Sequence, residues 1–138
     1  MKREAINPPN DWGAAYQMNQ AERITEITQT INFSGQTSVI LDANSPMGIS
    51  VKHPNDLREQ MKFILKAIDA LLEQAGLTRK NIIHIRFYTI NMNAFLSSYD
   101  VYSNWIKAAK IKPPQTAIGV DQLAVPELML EVEITAAN

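Results

Sequence analysis

One apolar stripe restricts the fold more than any other feature. Leu57, Met61, Ile64, Leu65, Ile68, Leu71, Leu72 and Ala75 recur at helical spacing, so a helix over this stretch buries a single face. Asp56 and Glu59 have the spacing of a capping box, with Asp in place of the usual hydroxyl. Pro54 precedes them, and Gly76 stands where a left-handed terminator belongs. A helix this one-sided needs a flat apolar surface to lie on.

The flanking sequence supplies that surface. "EITQTINF" (26–33) sets Ile27, Gln29, Ile31 and Phe33 on one face and Thr28, Thr30 and Asn32 on the other, the alternation of a half-buried strand. With a weaker strand pattern over 16–24, it predicts a hairpin ended by "SGQ" (34–36) and followed by a long loop over 37–53. "NIIHIRFYTI" (81–90) alternates again, placing Ile83, Ile85 and Phe87 opposite His84, Arg86 and Tyr88. A second helix is expected from Asn93, with Phe95, Leu96, Tyr99, Tyr102, Ile106 and Ala109 on its buried side. "KIKPP" stops it, and strands over 115–123 and 128–136 close the chain. Residues 1–13 read as an arm fixed by Pro8 and Pro9 and anchored by Trp12.

The order is ββαβαββ, an α+β sandwich with two helices on one face of one sheet, in a single domain over 1–138. The other sheet face, His84/Arg86/Tyr88 and Thr28/Thr30/Asn32, is neither plainly apolar nor plainly charged. Burial against copies of the same chain in closed symmetry accounts for such a face.

Several functions are disfavoured at once. The 13 basic and 14 acidic residues give a net charge of −1, without the basic excess that phosphate contacts require, so nucleic acid is an unexpected partner. Cysteine is absent, which removes thiolate nucleophiles and cysteine ligands. His53 and His84 lie in different elements with no metal-binding spacing, and no phosphate-cradling glycine motif exists. No metal or cofactor is expected. The N-terminus lacks the apolar run of a signal peptide, and nothing approaches the ~20 apolar residues of a membrane span; the expected location is the cytoplasm. Glu131 and Glu133 share one strand face, which suits edge solvation or general acid–base work.

"INFSGQT", "REQMKFILKAIDALLEQAGLTRKNII", "YTINMNAFLSSYDVYSNW", "PPQTAIGVDQLA" and "LMLEVEITA", in this order, resemble the Rid family, the YjgF-type reactive-intermediate deaminases known in older usage as L-PSP endoribonucleases. The resemblance covers about residues 12–136. It implies a chorismate-mutase-like fold and a homotrimer with small-molecule clefts between subunits. In deaminating members these clefts hydrolyse 2-imino or 2-enamino acids. Carried over by position, the water-positioning glutamate is Glu131, the asparagine opening the second helix is Asn93, and the turn supplies Ser34 and Gly35. Either Tyr16 or Met18 takes the place of the cleft tyrosine, and backbone N–H groups near Ala117 polarise the substrate.

The family's carboxylate-gripping arginine falls on Gln115. A guanidinium fork holds a carboxylate through two charge-assisted bonds, whereas glutamine offers one uncharged amide. Arg86 is the cation that could meet a ligand's charge instead, or pair with a carboxylate across a subunit interface. The residues leave two readings open: a hydrolase of imines or enamines, and a non-catalytic trimer that holds a neutral metabolite or a protein partner.

Overall fold

The computed structural model describes residues 1–138. In chain order the elements are β1 (Lys2–Ile6), a 3-10 turn (Trp12–Tyr16), β2 (Ala21–Thr25), β3 (Thr30–Asn32), β4 (Val39–Leu41), β5 (Ile49–Val51), α1 (Leu57–Gln74), a second 3-10 turn (Arg79–Asn81), β6 (Ile82–Thr89), α2 (Met92–Ser97), α3 (Tyr99–Lys107), β7 (Gln115–Gly119) and β8 (Leu130–Ala137). The central sheet runs β3-β8-β6-β7. β6 and β7 are parallel, and the other pairings are antiparallel. This is the expected mixed α+β fold with its helices gathered on one sheet face.

The core forms where the α1 stripe meets that face. Met61, Ile64, Leu65, Ile68 and Leu72 pack with Ile85, Phe87, Val132 and Ile134, joined by Phe95, Tyr102 and Ile106 from the second helical region. Asp56 caps α1 by accepting from the Glu59 N–H at 3.1 Å, and Gly76 takes φ 69° just past its end, where a side chain would be strained. Gln60 is fully buried but satisfied. Its Nε2 donates to the carbonyls of His53 (2.9 Å) and Glu127 (2.8 Å), and its Oε1 accepts from Met129 N–H (2.8 Å).

Six expectations are corrected. The arm is a strand: residues Lys2–Ile6 pair antiparallel with β2. Arg3 pins this hairpin to the start of β6 by donating to the carbonyls of Lys80 and Ile82, while it pairs with the buried Glu22 at 2.8 Å. The 16–24 and 26–33 segments therefore do not pair with each other. Glu26, at φ 56°, turns the chain between them, and β3 joins β8 instead. The 37–53 loop contains the β4–β5 hairpin. A bulge between Ile82 and His84 resets the alternation in β6, so Ile82 enters the core in place of Ile83. The second helix is broken at Ser98, and the strand from Gln115 ends at Gly119 rather than at 123. No helix is long and apolar enough to cross a membrane.

Candidate functional site

The parallel register of β6 and β7 decides where Gln115 points. Ile85 lies opposite Gln115 and Phe87 opposite Ala117. Ile85 and Phe87 are core residues, so Gln115 and Ala117 also face the helices. Gln115 opens the strand directly after Pro113 and Pro114, and the Pro114 carbonyl accepts from Ile85 N–H at 3.2 Å.

The 3-10 turn comes to the same place by crowding. Asp11 Oδ1 accepts from Gly13 N–H at 2.9 Å and from Gln20 Nε2 at 3.0 Å. A Cβ on Gly13 would lie 2.7 Å from Gln20 Nε2 and 3.1 Å from both Asp11 Oδ1 and Met18 Cγ, so a side chain there would push Gln20 away from Asp11. Asn19 N–H then donates to the Lys112 carbonyl at 2.9 Å, which brings the turn to the entrance of β7. The Tyr16 carbonyl consequently lies against Gln115.

Three polar groups close on one another at this point. Gln115 Nε2 donates to the Tyr16 carbonyl at 2.9 Å and to the Tyr99 hydroxyl, and that hydroxyl donates to the same carbonyl at 2.7 Å. Gln115 Oε1 is buried without a partner. Burial of the Tyr99 ring pushes its pKa up to about 12, against a smaller opposite pull from Gln115. Around this cluster lies a pocket of about 300 Å³, lined by Trp12, Tyr16, Met18, Phe87, Phe95, Leu96, Tyr99, Gln115, Thr116 and Ala117. None of these carries a charge.

The second group of expected residues lies on the opposite sheet face. On β8, Glu131 and Glu133 alternate with the buried Leu130, Val132 and Ile134. Glu131 pairs in register with Tyr88, and Glu133 with Arg86. Arg86 Nη1 reaches Glu133 Oε1 at 3.0 Å, and the Tyr88 hydroxyl donates to the same oxygen at 2.9 Å. That hydrogen bond, more than burial, raises the Tyr88 pKa. Burial foremost, with Arg86 assisting, lowers the pKa of His84. Gly35 lies directly against Glu131, and a Cβ there would come within 2.6 Å of the carboxyl carbon. The turn then rejoins the sheet: Gln36 N–H donates to the Val132 carbonyl at 2.7 Å.

Within one chain the expected residues thus fall into two sets. Gln115, Ala117 and Tyr16 share the aromatic pocket, and Met18 lines it too, so both readings of that position lie at the site. Glu131 and Gly35 meet across the sheet, with the exposed Ser34 beside them. Arg86 lies on the face opposite Gln115 and pairs within its own chain. Asn93 is exposed, and the residue that opens α2 is Asn91, whose Oδ1 accepts from Ala94 N–H at 3.0 Å. The pocket residues that the sequence did not reveal as such are Tyr99, Phe95 and Phe87, expected in the core, Leu96, expected on the buried side but 53% exposed, Thr116, and Trp12, expected only as an anchor.

Comparison with known proteins agrees with this architecture. A RutC family protein of Aquifex aeolicus is 34% identical over 81 residues, which is 59% of this chain and 64% of that protein. One from Pyrococcus abyssi is 30% identical over the same length, 61% of its own chain. The matched segment spans less than two thirds of either relative. Among solved structures, a Yersinia pestis protein of the Rid family, YyfB, superimposes with a TM-score of 0.81 at 26% identity, each chain covered in full. A Mycobacterium tuberculosis member of the YjgF/YER057c/UK114 family, at 20% identity and a TM-score of 0.62 over 99% of this chain, shares the fold. The family described as Endoribonuclease L-PSP matches residues 13–138, and the chain belongs to that family.

Proposed function

We propose that this chain works as a homotrimer whose inter-subunit clefts each hold one small neutral molecule, and that it hydrolyses 2-imino acids poorly or not at all. One observation carries the reading. The residue at the place of the family's arginine, Gln115, spends its donors on Tyr16 and Tyr99 of its own chain, in a pocket lined by no cation. A carboxylate entering there finds no charged partner. Charge-assisted bonds contribute about 1.5–3 kcal/mol each, so loss of the fork weakens an anionic ligand by roughly one to several powers of ten. Arg86 does not compensate, since its charge is already met by Glu133.

Assembly is supported by the division of the site. Gln115 and Glu131 lie on opposite faces of one sheet, so a cleft that uses both draws them from two copies. Ribonuclease activity, which the family's description suggests, gains no support from an uncharged pocket and a net charge of −1.

The close approach of Gly35 to Glu131 favours a second reading, hydrolysis of a neutral imine. Glu131 would orient a water whose oxygen bonds to the imine carbon, while the nitrogen gains protons and leaves as ammonia, giving a ketone. The deciding assay generates a 2-imino acid in place with an amino-acid oxidase and measures keto-acid release. The expected result is no acceleration by the native protein, a gain with Gln115→Arg, and loss of that gain when Glu131→Gln is added. Native activity equal to that of a true deaminase overturns the proposal. A monomer by light scattering at micromolar concentration overturns the trimer.

A further inference from the structure

The walls of the Gln115 pocket narrow the ligand beyond "neutral", a step that rests on the neutral-cleft reading. Three ring pairs run along it edge to face: Trp12–Tyr16 at 6.2 Å and 71°, Tyr16–Tyr99 at 5.9 Å and 81°, and Phe95–Tyr99 at 5.8 Å and 80°. An edge-to-face contact covers one face of one ring and leaves the opposite faces free. Within one chain Trp12 is 63% exposed and Tyr16 44%, so large apolar faces of this chain are left uncovered at the mouth of a concave site. Their quadrupoles favour another aromatic ring, in offset or edge-to-face contact, over a saturated one. A volume of about 300 Å³ accepts a molecule of one or two rings, at the small end of ligand pockets.

The polar base of the pocket selects by charge. The Tyr99 hydroxyl and the Gln115 amide N–H groups could each have met a carboxylate, yet both donate to oxygens of the protein. Gln115 Oε1 is left without a partner but is itself closed off from solvent, so the base of the pocket offers an anion neither a charge nor a free donor.

We infer that the pocket selects a neutral planar aromatic molecule, and that Tyr99 is a specificity-determining residue, holding the Gln115 amide turned away from anions. Trp12 is the outer wall that the ligand's ring covers.

Calorimetric titration of the full-length protein with three probes tests this. Benzamide is neutral and aromatic, benzoate keeps the ring but is charged, and cyclohexanecarboxamide keeps the amide but loses the ring. Benzamide is expected to bind at least about tenfold tighter than benzoate and several-fold tighter than cyclohexanecarboxamide. Trp12→Ala, a change at an exposed side chain, is expected to weaken benzamide about tenfold. Tyr99→Phe frees a donor of Gln115 and should raise the affinity for benzoate relative to benzamide, a shift in ratio that a purely structural role would not produce. Adding Gln115→Arg to Tyr99→Phe should reverse the order of benzamide and benzoate. Equal binding of benzamide and cyclohexanecarboxamide overturns the aromatic inference but leaves the neutral cleft standing. Benzoate binding as tightly as benzamide overturns both. No binding of any probe overturns the inference, and the keto-acid assay then judges the neutral cleft by itself.

Discussion

The two faces of β6 and β8 come from one run of alternating residues yet differ in kind. Toward the helices, Ile85, Phe87, Val132 and Ile134 are 0–3% exposed and belong to a closed core. Away from them, His84, Arg86, Tyr88, Glu131 and Glu133 are half-buried or exposed, and Arg86 and Tyr88 share one carboxylate oxygen of Glu133. The first face is complete within a single chain. The second has polar groups still available to something outside it. The contrast separates the stability that the helix side supplies from the association and chemistry proposed for the open side. The Gln115 pocket lies where the finished face reaches the edge strand, and it accordingly has apolar walls.

The largest effect is expected on the finished face. Phe87 packs against Phe95 and Tyr102 at ring distances of 5.0 and 4.9 Å and is 1% exposed. Phe87→Ala leaves a cavity among rigid neighbours and should cost about 3–5 kcal/mol, measured by denaturant unfolding at fixed protein concentration. A loss below about 1 kcal/mol would mean that this side is loosely packed and the contrast unreal.

The next test probes the open face by crowding. Gly35→Ala places a Cβ within 2.6 Å of the Glu131 carboxyl carbon, and about 1–2 kcal/mol of strain is expected. The obstacle is a side chain rather than backbone, so the strain should vanish in a Glu131→Ala background. A double-mutant cycle with no coupling would show that Gly35 and Glu131 do not meet in solution.

Legibility in the sequence divides along the same line. The α1 stripe, its Asp56 cap and its Gly76 stop are local, and so are the alternations of β6 and β8; all were legible. Pairing partners were not. Lys2–Ile6 forms a strand only because β2 lies beside it and Arg3 finds the carbonyls of Lys80 and Ile82, contacts that no window of sequence contains. The bulge that exchanges Ile82 for Ile83 is invisible in a run where both neighbours are isoleucine. Tyr99 has the helical spacing of a core residue, and it does pack on the core. Its hydroxyl became part of the pocket because Ser98 breaks the helix just before it and because the 3-10 turn brings the Tyr16 carbonyl within reach. The substitution at Gln115 could be read from the resemblance; the residues that occupy its donors could not.

Two tyrosines allow a finer comparison of the faces. Tyr99 is pushed up to about 12, chiefly by burial, while Tyr88 is raised chiefly by its bond to Glu133. Glu133→Gln should therefore return Tyr88 toward its ordinary range and leave Tyr99 unmoved, as read by tyrosinate absorbance during alkaline titration. The effect on stability has a definite sign. Below the unfolded value of 10.0 both states keep the Tyr99 proton, and its contribution is fully present. Between about pH 10 and 12 the unfolded chain loses that proton first, so stability falls as pH rises. Tyr99→Phe should flatten the decline in this window. An unchanged slope would show that Tyr99 does not titrate as a buried group.

The smallest effect on folding is expected at Arg86, although it carries the most conspicuous charge on the open face. Its ion pair with Glu133 joins side chains 46% and 32% exposed, and water screens such a pair enough to hold its worth below about 1 kcal/mol. Arg86→Met keeps the aliphatic stem, and Glu133 still accepts from Tyr88 at 2.9 Å, so no buried group is orphaned. Unfolding free energy measured where the protein is dissociated should change by less than about 1 kcal/mol. If the open face meets other copies, the same substitution should instead alter the concentration and salt dependence of assembly seen by light scattering, because a charge brought into an interface loses its solvent. A loss of several kcal/mol in the dissociated chain would place Arg86 among the residues that hold the fold, and the division between a structural face and an associating face would not stand.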